Sequence, residues 1–506
     1  MRILTGRNCA VLFVLTWAIP IFAQDPKTSQ DIQSLRAELL QVEEEHTRKL
    51  AALEEKIAQL EKELASQKEQ TTRKSAPSPM QALAGEGQQA EQVGSAPLYE
   101  QLRDADQKIR ALEQHEKAFE FHGYLRSGYG LNGKGGTEVP FQAPGADAKF
   151  RLGNETETFV PLTFVYNILN PSHDSGSPWL RVNASLELTS PYSADYTAKD
   201  PVGFRESFVQ AGNLFESQPG LTVWAGQRRY RRYHFDINDF YPVDMSGVGG
   251  GFEDLNLGPA KLAVAYVANL RADFVTTSGN LTKNNIDTRL YDMKVPGGRL
   301  GVWFDFATER GGTKIDGTPV PTINGYALGI RHQRLEWIGG FNSFTVMYGK
   351  GAASTFNSSV PDTSAFEQKA DRFLVVEAML IQPNERFGVL PEVLYQRRRD
   401  GNPKDGTDQW LALAVRPIIY FTDHLSLAFE SGFDHTTSGA GKFDGWLGKY
   451  TIMPQIGVNR HFFGPVLRVY ATYATWSNGF KGLVGGAPYA NATAGVSYGV
   501  QSETSW

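Results

Sequence analysis

Cysteine is nearly absent: Cys9 is the one thiol in 506 residues. That excludes a disulfide framework and a cysteine metal cluster. Long apolar runs are absent beyond the first two dozen residues, so no transmembrane helix is expected there. Charge of one sign is not in excess either; the net charge is −5 and points to no nucleic-acid partner. The missing apolar runs do not exclude a membrane barrel, whose strands alternate lipid-facing with water-facing residues.

The chain opens MRILTGRNCAVLFVLTWAIPIFAQ. Arg2 and Arg7 form a basic start, Cys9–Phe22 is apolar apart from Thr16 and Pro20, and Ala23 is a small residue before Gln24. This reads as a secretory signal peptide over 1–23, whose cleavage would remove Cys9. A membrane anchor is the competing reading, and the run is short for one. Residues 24–66 then carry a heptad seam through Ile32, Leu35, Leu39, Val42, Leu50, Leu53, Ile57, Leu60 and Leu64. His46 is a stutter that would locally unwind a supercoil. A coiled coil of about 50 Å is expected, and with it an oligomer; a lone amphipathic helix is the alternative. Residues 67–96 are rich in Ser, Pro, Gln and Gly and read as a flexible linker. Leu98, Leu102, Ala105, Ile109 and Leu112 give a short helix over 97–118.

From Phe119 to Trp506 the pattern switches to period two. In FEFHGYLRSGYG, Phe119, Phe121, Leu125 and Tyr129 share one face; Glu120, His122, Tyr124 and Arg126 share the other. WLRVNASLEL sets Leu180, Val182, Ala184, Leu186 and Leu188 against Arg181, Asn183, Ser185 and Glu187, and VLRVYATYATW sets Leu467, Val469, Ala471 and Tyr473 against Arg468, Tyr470, Thr472 and Trp476. Sixteen to twenty such segments are expected. Long polar connectors (131–148, 351–369, 398–407, 436–449) alternate with tight turns. The fold class this predicts is an all-β transmembrane barrel of about 18 antiparallel strands over 119–506, behind an N-terminal α-helical coiled coil. A soluble β-sandwich also alternates, but does not place ionic residues opposite the apolar face in nearly every strand.

The stretches FHGYLRSGYG (Phe121–Gly130), KFRLGNETET (Lys149–Thr158), DPVGFRESFVQAGNL (Asp200–Leu214), PGLTVWAGQRRYRRY (Pro219–Tyr233), DINDFYPVDMSGVGGGFEDLNLG (Asp236–Gly258), VRPIIY (Val415–Tyr420) and LRVYATYATW (Leu467–Trp476) resemble the maltoporin family of sugar porins. The coiled coil resembles the N-terminal extension of sucrose porin, a member of that family. The resemblance implies a homotrimer in the bacterial outer membrane, its extension in the periplasm, passing oligosaccharides by passive diffusion without cofactor or metal. It also implies an aromatic slide at Tyr124, Phe159, Tyr196, Tyr241, Trp410 and Trp476, with Tyr196 reaching a neighbouring subunit. A further slide position falls near Leu328, with Tyr326, two residues back on the same face, as its expected substitute. An ionic track is implied at Arg126, Arg151, Arg205, Arg232 and Asp239, with Asp244 at the constriction. Pro161 and His234 replace acidic residues of the family's track, and Thr156 replaces half of a loop disulfide. Chemically, aromatic faces stack on the C–H faces of a sugar, and Arg forks and carboxylates bond its hydroxyl rim. A general diffusion porin, and an exported carbohydrate-active enzyme, are the competing functions.

Other features take bland readings. RRYRRYHF (Arg228–Phe235) reads as basic pore lining rather than a nucleic-acid patch, and Arg228 or Arg229 as a paired rim charge. Trp303 shares its face with Arg299 and Asp305; it is expected in the interface girdle, with a lumen aromatic as the alternative. His122 is expected to hydrogen-bond in the lumen. Glu155 and Glu157, taken as neighbours on one strand, read as track or structural charges. Gly249–Gly251 follows no βα pattern, and Asp371, Glu377 and Glu392 have no metal-ligand spacing.

Overall fold

The computed structural model describes residues 118–170, 176–190, 202–359 and 366–506, with backbone alone at 272–274. The expected signal peptide, coiled coil, linker, short helix before Ala118, and Tyr196 lie outside the described residues.

The strands are β1 (Phe119–Asn132), β2 (Thr158–Leu169), β3 (Trp179–Ser190), β4 (Val202–Gly212), β5 (Thr222–Phe235), β6 (Phe240–Asn256), β7 (Lys261–Thr276), β8 (Gly279–Val295) and β9 (Gly298–Glu309). A two-residue hairpin, β10 (Gly312–Thr313) with β11 (Pro319–Val320), decorates the next connector. The wall resumes with β12 (Ile323–Trp337), β13 (Gly340–Gly351), β14 (Asp371–Asn384), β15 (Phe387–Arg399), β16 (Asp408–Tyr420), β17 (Leu425–Thr437), β18 (Asp444–Gly457), β19 (Val466–Trp476) and β20 (Ala494–Ser505). Apart from β10 and β11, every strand pairs antiparallel with its neighbours in sequence, and β20 returns to β1, giving a closed 18-stranded barrel. Closure removes every sheet edge, as a lipid environment requires. No α-helix occurs among the described residues; only single-turn 3-10 segments do, such as Asp236–Asn238.

The seam is finished by the last residue. Trp506 N–H donates to Gly123 O (3.0 Å) and Gly123 N–H to Trp506 O (2.9 Å). A Cβ on Gly123 would lie 2.2 Å from the indole, so glycine there lets the ring lie on β1.

Alternation assigns the faces as expected. Phe119, Phe121 and Tyr129 are exposed on the outside, while Tyr124 and Arg126 are buried in the lumen. Across β17, Leu425, Phe429 and Phe433 face out and Glu430 and Asp434 face in. Two-residue turns at 296–297, 338–339 and 385–386 lie on the rim where β1 begins and β20 ends. The opposite rim carries the long connectors 133–157, 310–322, 352–370 and 477–493.

Three readings are corrected. Residues 436–449 are mostly strand, since β17 and β18 run to Thr437 and from Asp444; the long connectors not named were 310–322 and 477–493. Glu155 and Glu157 precede β2 in a connector rather than sharing a strand. Trp303 is not a girdle residue: it is 1% exposed, turns into the lumen, and its Nε1 donates to Asp287 Oδ2 at 2.7 Å. Parity explains the last point, because Trp303 shares its face with Asp305 and Ala307, both fully buried.

The lumen is partly filled. Phe141 and Phe150 from connector 133–157, Phe356 from 352–370, and Phe480 and Tyr489 from 477–493 fold inward and pack with Trp303, Trp410 and Trp476 in one apolar cluster. These lumen tryptophans bed the loops as well as lining the wall.

Candidate functional site

The inner surface narrows where three segments meet: the end of connector 133–157, the β5–β6 turn at 236–239, and residues 352–359. Register shifts after Tyr230 and Tyr233 bend β5 inward, and the αL conformation of Asp239 (φ 48°) closes the turn. Asp tolerates that conformation better than most residues with a side chain. Main-chain bonds stitch the segments together. Arg151 N–H donates to Ile237 O (2.9 Å), Asp244 N–H to Phe356 O (3.2 Å) and Ser358 N–H to Asp244 O (3.1 Å).

An ionic network surrounds the narrowing. Arg126 pairs with Glu155 (2.9 Å), Glu157 (2.6 Å) and Asp239 (3.4 Å). Arg151 pairs with Glu155 (2.7 Å), Asp236 (2.8 Å) and Glu503, and donates to the Tyr124 hydroxyl at 2.7 Å. Tyr124 in turn donates to Glu503 (2.8 Å). Arg416 extends the network to Asp236 and Glu430, and Lys449 bonds Glu430 at 3.1 Å. Such burial of charge is tolerable only with this density of partners.

Around the turn, Tyr241 is held between rings and charge. The Arg232 guanidinium lies 3.7 Å from its centroid, and His234 stacks on it at 4.4 Å and 25°. Arg232 pairs with Asp244 (3.1 Å), and His234 Nε2 meets Asp239 Oδ1 at 3.0 Å. Enclosure by protein works against ionisation of Asp239, yet the His234 hydrogen bond and the Arg151 and Arg126 charges hold its pKa well below the usual carboxylate range.

The structure thus brings together Tyr124, Phe159, Arg126 and Arg151, and Asp239, paired with both Arg126 and His234, joins them to Arg232, Tyr241 and Asp244. Phe159 meets Tyr124 edge-on at 6.1 Å and lies under Arg126 at 5.7 Å. Trp410 and Trp476 also face inward but are 1% and 2% exposed: Phe240 stands edge-on to Trp410, while Phe141 and Tyr489 cover Trp476. Arg205 stands apart, bonded to Glu187 at 2.8 Å. The expectation for Leu328 and Tyr326 fails. They are 47% and 44% exposed on the outer face of β12, whereas Ala327, Gly329 and Arg331 face in. Residues two apart share a face, so neither can replace the other in the lumen.

The departures from the family pattern acquire partners. His234 supplies a ring for Tyr241 to stack on. Thr156 donates to Glu138 at 3.0 Å, tethering the connector by a hydrogen bond. Pro161 is buried on β2, beside Glu187 of β3. His122 bonds Glu120 at 3.1 Å, and Arg228 and Arg229 pair with Glu253 and Glu187, as the sequence led one to expect.

Several lumen residues were missed by sequence reasoning: Asp147, Asp236, Arg372, Arg416 and Glu503. Most sit at inward parity on their strands, and that parity was the available signal. Below the turn, Arg331 and Glu392 line a small cavity with Asp236, Phe341 and Phe463; both terminal Arg331 nitrogens and both Glu392 oxygens lack hydrogen-bond partners among the described residues.

A closed barrel with an apolar outside, a charged inside and inward-folded loops defines a pore-forming membrane protein. The LamB porin family matches residues 119–506, and the chain belongs to that family. Solved structures of similar shape include OmpT, an outer membrane protein of Vibrio cholerae (12% identity, 77% of this chain and 98% of that one, TM-score 0.34). Pseudomonas aeruginosa OccK10 (10%, 77% and 99%, 0.39) and Acinetobacter baumannii OccAB4 (10%, 77% and 99%, 0.41) are others. Likeness at this level carries no functional argument; the family match does.

Proposed function

We propose that this porin is a homotrimer of the bacterial outer membrane that passes oligosaccharides, maltodextrins or sucrose among them, by passive diffusion. The observation that carries this reading is the Arg232–Tyr241–His234 stack with Asp239 and Asp244 at its edges. It groups an aromatic ring, an imidazole and a guanidinium with two carboxylates, so that a sugar's C–H groups meet ring edges and its hydroxyls meet donors and acceptors. Tyr124, Phe159, Tyr196, Trp410 and Trp476 continue the aromatic path, and Arg126, Arg151 and Arg205 its ionic side. Each station binds weakly, so sugars step along and leave.

The domain reading is a signal peptide (1–23), a periplasmic coiled coil (24–66), a linker (67–96) and a short helix (97–118) before the barrel. It fits the entry of β1 at the short-turn rim, which faces the periplasm when long loops face outward. The coiled coil then sets trimer register or contacts the peptidoglycan layer.

A general diffusion porin is the second reading. It is favoured by the covered faces of Trp410 and Trp476 and the outward turn of Leu328. Planar-bilayer conductance with added maltodextrins or sucrose separates the two. Sugar-dependent block of the ion current is expected; no block by any sugar at up to ~100 mM, far above millimolar affinity, refutes sugar selectivity.

A further inference from the structure

The outer wall of the barrel carries one concentrated cationic patch at the long-loop rim. Cross-strand register aligns Tyr326, Lys350, Asp371 and Arg399 in one outward row across β12–β15. The next row down aligns Leu328, Tyr348, Phe373 and Arg397, and the next Ile330, Val346, Val375 and Tyr395. Asp371 takes both arginines: Arg397 Nη2 at 3.2 Å and Arg399 Nε at 2.7 Å. Even so, the two guanidinium side chains are 40% and 50% exposed. Lys350 is exposed, with no ion-pair partner among the described residues, and Arg397 Nε has no hydrogen-bond partner. Three cations against one carboxylate leave two positive charges uncompensated. On the same half of the wall, outward positions elsewhere among the described residues are mostly uncharged, for example Tyr129, Thr282, Asn284, Phe306, Tyr473 and Tyr498, and Asp444 at the start of β18 is acidic.

We propose that Lys350, Arg397 and Arg399 form a docking site for the phosphate groups of a lipid headgroup in the outer leaflet. Uncompensated cations beside hydrocarbon are costly unless an anion meets them. Guanidinium forks suit phosphate oxygens bidentately, and the lysine adds a point charge. Tyr326, Tyr348 and Tyr395 border the patch with amphipathic rings of the kind found at headgroup depth. The aliphatic rows beneath give acyl chains a surface. The occupant is a phosphorylated lipid rather than free phosphate, because only the lipid satisfies the charged row and the apolar rows together. The site rests on the outer-membrane reading above, with the long loops outside.

The test uses the purified full chain in detergent, titrated with an outer-leaflet glycolipid bearing two phosphates. The same glycolipid with its phosphates removed, and inorganic phosphate, are the comparison probes, and retention is read by native mass spectrometry. Preferential retention of the phosphorylated lipid is expected, weakened about tenfold or more in the Lys350→Gln/Arg399→Gln double variant. Equal retention by that variant, equal retention of the dephosphorylated lipid, or complete displacement by millimolar phosphate would each overturn the site. Heat-modifiable migration confirms that the variant barrel is folded. Current through planar bilayers from the same preparation keeps the two ideas apart: an absent current sinks the pore reading, whereas normal current without phosphate-dependent retention sinks only the lipid site.

Discussion

Arg372 Nη2 donates to Asp147 Oδ2 at 2.7 Å, joining strand β14 to a residue 225 positions away in the first long connector. The same guanidinium donates to Thr355 O (3.1 Å) and lies 5.2 Å from the Phe356 ring and 6.0 Å from Phe240. One side chain therefore bonds two of the three segments that narrow the lumen and lies beside Phe240, the residue that follows the third. Arg372→Ala should leave a folded barrel whose open-channel current is larger and noisier. A lost charged hydrogen bond of this kind costs about 2 kcal/mol, enough to free a loop but not to unfold a barrel. Single-channel recording checks this, and a quiet channel of wild-type conductance would show that the loops are pinned elsewhere.

The two slide positions should not respond alike. Tyr241 is only partly buried, while Trp410 is packed edge-on against Phe240 and its Nε1 donates to Asp434 at 2.8 Å. Removing a stacking ring should weaken sugar block by roughly 0.5–1.5 kcal/mol. Tyr241→Ala should reach the upper part of that range. Trp410→Ala should act less on sugar block and more on barrel stability, because its ring is bedding for the β6 start. Block constants and heat-modifiable migration, measured on both variants, separate the two effects.

Much of this was legible in the sequence because strand parity is a rigid code. Tyr124 looked out of place between His122 and Arg126 until the polar face became a lumen, and the structure puts its hydroxyl between Arg151 and Glu503. Where parity was set aside, the reading failed. Leu328 was assigned by family position although it alternates with Ala327 and Gly329, and Trp303 was sent outward although it shares parity with Asp305. What could not be read at all was long-range. Nothing local in β14 announces that Arg372 meets Asp147, since that contact depends on how a 25-residue connector, 133–157, folds back through the barrel.

The outward turn of Leu328 makes a clean control. Leu328→Ala should leave both conductance and sugar block unchanged, because its side chain meets the surroundings of the barrel rather than its lumen. Any change in block beyond the error of the wild-type titration would place this residue on the sugar path after all.

Acidity should act on the constriction late. The pKa of Asp239 is depressed in the folded pore, so its charge is retained as pH falls past the ordinary carboxylate value of about 4. The stability it contributes is likewise present above the unfolded-state pKa and lost only as pH falls through the lower folded-state value. The difference in ion selectivity between wild type and Asp239→Asn, read from reversal potentials across a salt gradient, should therefore be as large at about pH 3.5 as at pH 7, although an ordinary Asp would be mostly protonated there. A difference that has fallen by half or more at about pH 3.5 would mean that Asp239 titrates normally and that His234 and the arginines do not hold its charge.

Among the described residues, the barrel is closed by its own strands. β1 starts at Phe119 and is paired along its length by β2 on one side and β20 on the other, and Trp506 locks onto Gly123. Among the described residues, every strand pairing of the wall lies within 119–506, and Ala118 adds one main-chain contact by accepting from Asn167 N–H (2.7 Å). Deleting residues 24–118 while keeping the signal sequence should leave single-channel conductance and sugar block at wild-type values. Trimer yield is the quantity the deletion can lower, if the heptad seam sets the register of assembly. The measurement is single-channel recording of the truncated protein alongside semi-native electrophoresis. Lost or altered conductance in correctly assembled trimers would show that the extension shapes the pore itself.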